Sequence, residues 1–325
     1  LEQIVYPNLI STGAHEFKNH SLLAAKLRIV KQLSSTASQT AENFCHRRRI
    51  HYFDIAIDFE YSDESMLAPI MEHFSLRPLS EQQSNCQLTI KLISPNAITL
   101  FPHDWEEEPS SDLWCGQYEQ GVFAIQRDFV ALLQNASATD KKILALWEPH
   151  QPDGAMNFLR WALPWAMLSR SMALLHSSAF LDSHNRAHVV IGVSGAGKTT
   201  LASKSLPRPV IGDDMNVISF GSNGCEIGVS NLGGIFPTLP FDQKLYPIAA
   251  FYLPQKIKNG LQLTAIRQGQ LMRTVLASIA NCSWPYLPQD LIQKIMGELA
   301  HSLLSTPAYE LAFSLDQEVW NDIIT

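Results

Sequence analysis

The sequence is poor in the features that mark metal clusters, disulfide scaffolds and nucleic-acid surfaces. Its five cysteines, Cys45, Cys86, Cys115, Cys225 and Cys282, lie far apart and form no C-x-x-C pair. Neither a zinc site nor a disulfide framework is expected, and a reducing compartment, the cytoplasm, fits best. Basic residues are outnumbered, 24 Lys and Arg against 31 Asp and Glu, for a net charge of -7. That balance argues against nucleic acid as a partner, because phosphate-backbone binding requires a basic face. The one dense basic run, His46-Arg47-Arg48-Arg49, reads as a solvated helix end. No stretch near Leu1 has the charged, apolar, small-residue plan of a signal peptide. Gly154 to Leu175 is long and apolar enough to raise the question of a membrane span, but it carries Arg160, Arg170 and a central Pro164, each costly in hydrocarbon. It reads as a buried helix lying against a nucleotide-binding sheet, and no membrane is expected. Internal repeats are absent too.

What is present is an ordinary globular balance, 46% hydrophobic and 17% charged over 325 residues, enough for two domains. A turn signal at Pro152-Asp153-Gly154 divides the chain into a domain at 1–152 and another at 153–325. In the first, Leu22, Leu23, Leu27, Val30 and Leu33 recur at helical spacing, and a polar run at 34–40 reads as a loop. Strand patterns follow at Tyr52–Ile57, Gln87–Leu92, Ala97–Phe101 and Val122–Ile125, with an acidic loop at Asp104–Pro109 that reads as a solvated turn. This half predicts a small α+β domain with no chemistry to name.

The second half is organised around Gly192-Val193-Ser194-Gly195-Ala196-Gly197-Lys198-Thr199, with Thr200 following. This is the G-x-x-x-x-G-K-[ST] pattern of a phosphate-binding loop. Glycines let consecutive N–H groups turn inward around phosphates, the lysine reaches the terminal ones, and the next hydroxyl can ligate Mg²⁺. The apolar run Ala187–Ile191 before it predicts a buried strand, and Thr200–Lys204 after it a helix. Upstream, Leu174–Leu181 and Ala187–Ile191 predict two strands joined by the polar turn Asp182–Asn185, which puts His176 on the strand whose partner feeds the loop. A lone histidine beside apolar residues is ordinarily structural.

Pro207-Arg208-Pro209 stops the loop helix. A very short strand, Val210-Ile211-Gly212, then ends in Asp213-Asp214, fifteen and sixteen positions after Lys198. Adjacent carboxylates on an apolar strand need a partner, and Mg²⁺ bound to nucleotide would supply one. Beyond them, Ile248–Leu253, Leu261–Ile266 and Tyr309–Leu315 predict strands. Leu271–Ile279 and Leu291–Leu303 predict helices, and Val319–Ile323 a final helical turn.

GTPases would add an N-K-x-D motif and ABC ATPases an L-S-G-G signature, and neither occurs. The combination of His176-Ser177-Ser178-Ala179, the loop and Val210-Ile211-Gly212-Asp213-Asp214 resembles the HPr kinase/phosphorylase family and its HPr-kinase-like relatives, which group with phosphoenolpyruvate carboxykinases. Ala308–Phe313 followed by Asp316 is similar to their closing strand. The resemblance covers about 165 to 325. It implies an α/β P-loop kinase core with a mixed sheet, preceded here by the smaller α+β domain, and a kinase that uses ATP and Mg²⁺ to phosphorylate a hydroxyl, serine in a protein or peptide. Carried over, Ser194, Gly195, Ala196, Gly197, Lys198, Thr199 and Thr200 hold the nucleotide phosphates. Asp213 is the catalytic base, Thr199 and Asp214 ligate Mg²⁺, and Lys198 and His176 stand at the transferred phosphoryl group. The family often forms multimers, so a homo-oligomer is among the expectations.

Departures from the family are equally legible. Its L-E-x-R-G-like segment, source of a metal-binding glutamate, corresponds here to Asn231-Leu232-Gly233-Gly234-Ile235-Phe236, with no acid or arginine. The family's basic HPr-binding loop has no counterpart, and between Phe236 and Ile248 Lys244 is the only cation, reading as a surface lysine. HPr is therefore not the expected acceptor. Two other readings stay open: a nucleotide-binding regulator or scaffold without turnover, and a kinase of a small metabolite such as free serine.

Overall fold

The computed structural model describes residues 27–35, 44–74, 88–94, 113–126, 128–135, 140–147, 152–222, 224–235, 239–279, 284–316 and 318–324. The expectations for Leu22, Leu23, Ala97–Phe101 and Asp104–Pro109 lie outside these residues. The fold is mixed α/β with two mixed sheets, in two compact units: Leu1–Ala166 with Cys282–Pro288, and Met167–Asn281 with Gln289–Thr325.

The first unit holds a seven-stranded sheet. Its strands are β1 (His46–Tyr52), β2 (Ile55–Tyr61), β3 (Leu88–Leu92), β4 (Trp114–Tyr118), β5 (Gly121–Ile125), β6 (Phe129–Leu133) and β7 (Lys141–Trp147), in the order β1-β2-β3-β7-β6-β5-β4. β2, β3 and β7 run parallel and the other neighbours antiparallel. Because side chains alternate across a strand, β6 and β7 serve two cores. Val130, Leu132, Leu144 and Leu146 meet Ile29, Val30 and Leu33 of helix α1, residues 27–35. On the other parity, Phe129 and Trp147 pack edge-on and tilted against Phe158 of α3, Pro152–Ala162, the helix that follows α2 (Ala68–Phe74). Each fully buried Leu or Phe contributes about 1.5–3 kcal/mol, so a strand covered on both faces is strongly held.

Three expectations change here. The basic run 46–49 is no helix end but the start of edge strand β1, where Arg47 and Arg49 both bond the buried carboxylate of Asp58 across the ladder on β2. The segment 154–175 is not one helix lying on the sheet that holds Ala187–Ile191. Pro164 has no N–H to continue the ladder, so α3 ends at Ala162, a short α4 (Pro164–Met167) and a 3₁₀ turn (Leu168–Arg170) follow, and the next strand begins at Met172. α3 covers β6 and β7, so the chain divides after Ala166 rather than at the Pro152 turn. Among the described residues no helix is long and apolar enough to cross a membrane.

The second unit holds eight strands: β8 (Met172–Leu181), β9 (Ala187–Ile191), β10 (Val210–Gly212), β11 (Met215–Gly221), β12 (Gly224–Val229), β13 (Tyr246–Lys256), β14 (Leu261–Ala265) and β15 (Ala308–Phe313). The path is β10-β8-β11-β12-β13-β15-β14, and β9 joins β8 to β13. β9, β13 and β15 are parallel and all other pairs antiparallel. Helix α5 (Lys198–Ser205) lies on β8, α6 (Gln268–Ser278) also contacts β8, and α7 (Gln289–Leu303) covers β11 and β12. One core gathers Phe180, Val190, Leu201, Tyr252, Phe313 and Trp320. The Trp320 indole N–H donates to Leu201 O at 2.9 Å, tying the end of the chain to α5. The expected helical turn at 319–323 is a single turn, closed by the Ile324 N–H donating to Trp320 O at 2.9 Å. The hairpin β11–β12 is an element that periodicity did not predict.

Candidate active site

β8 is the strand that assembles the site. Apolar residues flank its polar centre His176-Ser177-Ser178 and all but His176 are buried, so it sits centrally and takes three partners. With β9 it forms the expected hairpin. Asp182 closes the turn by accepting from the His184 and Arg186 N–H groups, each at 2.8 Å. β9 then delivers the chain to Gly192 at its carboxyl end. On its other side β8 changes partner: Ala179 pairs with Gly212 of β10, and His176 with Met215 of β11. Asp213 and Asp214 link these pairs in unbroken register with β8, and the Ser177 N–H holds them there by donating to Asp214 O at 2.9 Å. Asn216 reinforces the junction from beneath, its amide donating to Ser177 O and Oγ.

The phosphate-loop pattern becomes a turn capped by α5. Gly197 has φ +111, a conformation that side chains rarely adopt, and a Cβ there would stand 3.1 Å from the Phe313 ring and 3.4 Å from Lys256 Cε. Only glycine fits. No side chain caps α5, so its first-turn N–H groups lack both intrahelical acceptors and a cap, and the positive end of its dipole opens beside the loop. The buried Ser178 hydroxyl donates to Lys198 O at 2.9 Å and docks this turn on β8. Thr199 Oγ1 reaches Asp213 O at 3.4 Å.

These elements enclose a cleft of about 500 Å³. His176, Ser194, Gly195, Gly197, Lys198, Thr199, Thr200, Asp213 and Asp214 line it, so of the residues singled out by sequence only Ala196 is not on its wall. The Ala196 N–H turns back to Val193 O at 3.2 Å, closing the loop instead of facing the cleft. Lys198 is 6% exposed, its ammonium donating to the carbonyls of Gly192 and Val193 at 3.0 and 3.1 Å. Burial pushes its pKa below the ordinary lysine value, and the nearby Asp214 carboxylate partly opposes this. Asp213 is 3% exposed, and its Oδ1 accepts from the Ile235 N–H at 2.7 Å. His176 Nε2 and Asp214 Oδ1 are 3.4 Å apart, both half-open to the cleft.

Two contributors escaped sequence reasoning. Gly234 and Ile235 bring backbone against Asp213, so the acid-free segment 231–235 still returns to the site. Lys256, at the end of β13, donates to Gly195 O at 3.0 Å. Its signal was available: ligands of open α/β sheets gather at the carboxyl ends of parallel strands, and Lys256 closes the long apolar strand parallel to β9. Lys244 instead lies over the Tyr246 ring, 4.8 Å from its centroid, and is not among the cleft residues.

Among the described residues no group of three or more His, Cys, Asp or Glu is placed to hold a metal ion. A magnesium ion that arrives with a nucleotide needs only one or two protein carboxylates, since phosphates and water fill its other positions. The partly exposed Asp214 carboxylate and the Thr199 hydroxyl, on the same cleft, fit that requirement. Compared with protein-family models and with curated proteins, the chain finds no match in either.

Proposed function

We propose that the second unit is an ATP- and Mg²⁺-dependent phosphotransferase of the HPr-kinase-like type, acting on a hydroxyl, serine in a protein or peptide. The observation that carries this reading is the convergence of Lys198, Asp213, Asp214 and His176 on one cleft at the open end of α5. Phosphoryl transfer relies on positioning and charge neutralisation more than on covalent chemistry, and this group of residues supplies both. The Gly195–Gly197 turn and the first turn of α5 bind the phosphates, and Lys198 exchanges its two carbonyl acceptors for phosphate oxygens. Asp213, held by the Ile235 N–H through Oδ1, takes the acceptor hydroxyl proton on its carboxylate as the hydroxyl oxygen bonds the γ-phosphorus and the bond to the β–γ bridging oxygen breaks, releasing ADP. His176 steadies Asp214 and faces the same space. Magnesium, held by Asp214 and Thr199 when bound, neutralises phosphate charge.

The test is incubation with γ-labelled ATP and Mg²⁺ against a panel of serine peptides and small hydroxyl metabolites, with Lys198→Ala and Asp213→Asn as controls. Label transfer by the wild type alone is expected. Transfer no higher than in the two variants, with nucleotide binding intact, would sink the kinase. A second reading, a nucleotide-binding regulator without turnover, is favoured by the near-complete burial of Asp213 and by the acid-free 231–235 segment. Tight ATP binding with no ADP formed over hours would select it.

A further inference from the structure

Lys256 is the one lysine besides Lys198 among the described residues lining the cleft, and it comes from the end of β13 rather than from the loop and its helix. Its position follows from strand register. β13 pairs with β9 only as far as Tyr252 opposite Val190, while its pairing with β15 continues to Lys256 opposite Phe313. The last three residues of β13, Pro254 to Lys256, therefore run on past the end of β9, alongside the loop that rises from it. The bare Cα of Gly197 makes room for the lysine stem, whose Cε would touch a Cβ at 3.4 Å. The ammonium ends on Gly195 O at 3.0 Å.

Charge gives this placement a purpose. Among the described residues the cleft wall carries two carboxylates, Asp213 and Asp214, against two lysines. With Lys198 alone, the protein would present a net negative wall to a polyanion. A neutral carbonyl is also a weaker partner for an ammonium than an anionic phosphate oxygen is, because only the phosphate adds the Coulomb attraction of an opposite charge. We propose that Lys256 is a second phosphate-binding residue: it holds the loop through Gly195 O, and moves its ammonium to a phosphate oxygen when a polyphosphate ligand enters. The inference rests on the cleft being a polyphosphate site, and not on its catalysing transfer.

The probes are inorganic tripolyphosphate and MgATP, titrated calorimetrically into the full chain as wild type, Lys256→Met and Lys256→Arg, with thermal melts of each ligand-free protein. Loss of one charge-assisted contact predicts roughly tenfold or greater weakening of both probes in Lys256→Met. Affinity within about threefold of wild type is expected in Lys256→Arg, with ligand-free melting temperatures unchanged. The dependence of affinity on salt should also become shallower in Lys256→Met, as it does when a phosphate contact is removed. Equal binding by wild type and Lys256→Met overturns the proposal, and so does equal weakening in the methionine and arginine variants accompanied by a lowered melting temperature. Failure of the wild type to bind either probe overturns both this inference and the phosphate-site reading. Lys256-dependent binding without any label transfer leaves the inference standing and removes only the kinase.

Discussion

Gly234 and Asp213 fit together only because Gly234 has no side chain: a Cβ built there would lie 2.4 Å from Asp213 Oδ1, and the glycine backbone sits at φ +112. The close approach lets the next residue, Ile235, present its N–H to the same carboxylate oxygen at 2.7 Å. Gly234 thus sets where the Asp213 carboxylate points.

Gly234→Ala should therefore displace Asp213 while leaving the loop intact. Misplacing a reacting group by about 1 Å costs roughly 10²-fold in rate, and the strained backbone costs about 1–3 kcal/mol of stability. Label transfer should fall by about that factor, with tripolyphosphate affinity within a few-fold of wild type. Undiminished transfer in a folded variant would remove Asp213 from the chemistry.

Lys198 should give phosphate binding at the proposed site an alkaline limit. Its folded-state pKa lies below the ordinary lysine value of 10.5, through burial first and against the pull of Asp214. In the proposed phosphate site it is the charged form that grips phosphate, so affinity should be full at neutral pH and decline as pH rises towards 10.5, before an exposed lysine would titrate. The unfolded chain holds this proton more tightly, so the cost of burying the charge is present at neutral pH and is relieved over the same rise. A calorimetric series from pH 7 to about 10 should show the decline in wild type and not in the residual binding of Lys198→Met.

His188 makes the second unit acid-sensitive. Its ring stacks between Phe180 and Tyr252, at 5.5 and 5.8 Å, and Nδ1 shares a hydrogen bond with the Tyr252 hydroxyl at 2.9 Å. Burial lowers its pKa below 6.5 despite the Asp182 carboxylate 3.6 Å from Nε2. Since the unfolded state takes up the proton first, stability is full above 6.5 and falls as pH drops below it towards the folded value. Melting temperature should decline from pH 7.5 to about 5 in wild type and much less in His188→Phe. Asp182 titrates lower, because burial raises its pKa but the His184 and Arg186 contacts outweigh it.

The basic run on β1 is a structural device. Asp58 is buried at 1% side-chain exposure, and Arg49 holds both of its oxygens, Nε to Oδ1 at 2.7 Å and Nη2 to Oδ2 at 2.8 Å. Arg49→Leu should destabilise the first unit by about 1–3 kcal/mol in urea unfolding, with Arg47 remaining as a second donor. Arg48, of opposite strand parity, should tolerate the same change within about 0.5 kcal/mol.

How far the chain could be read ahead of its structure depended on whether a signal was local. The strand, turn and helix around Gly192–Thr200 were legible because glycine spacing and the apolar run Ala187–Ile191 encode them within fifteen residues. The β8–β9 hairpin was equally open, its turn written in Asp182–Asn185. The basic run 46–49 misled because its counter-ion, Asp58, lies on the neighbouring strand, and charge alone does not say what faces it. The apolar stretch 154–175 misled because burial reveals neither which sheet does the burying nor that Ser171, at φ 57, turns the chain into a strand.

By itself the sequence determined the chemistry available to this protein: a glycine-rich turn ending in Lys198-Thr199, a paired carboxylate close behind it, and His176 ahead of it on the preceding strand. Residue type and short spacing are sufficient for that, since backbone conformation and side-chain chemistry are local properties. Only the tertiary structure decided what stands around those groups. The junction at which β8 exchanges β10 for β11 brings Asp214 to His176, the return of 234–235 locks Asp213, and the overrun of β13 past β9 carries Lys256 to Gly195. These contacts join residues as far apart as 22 positions at Ile235 and Asp213 and 61 at Lys256 and Gly195, and register between distant strands is set by the packing of the whole sheet rather than by any stretch of it.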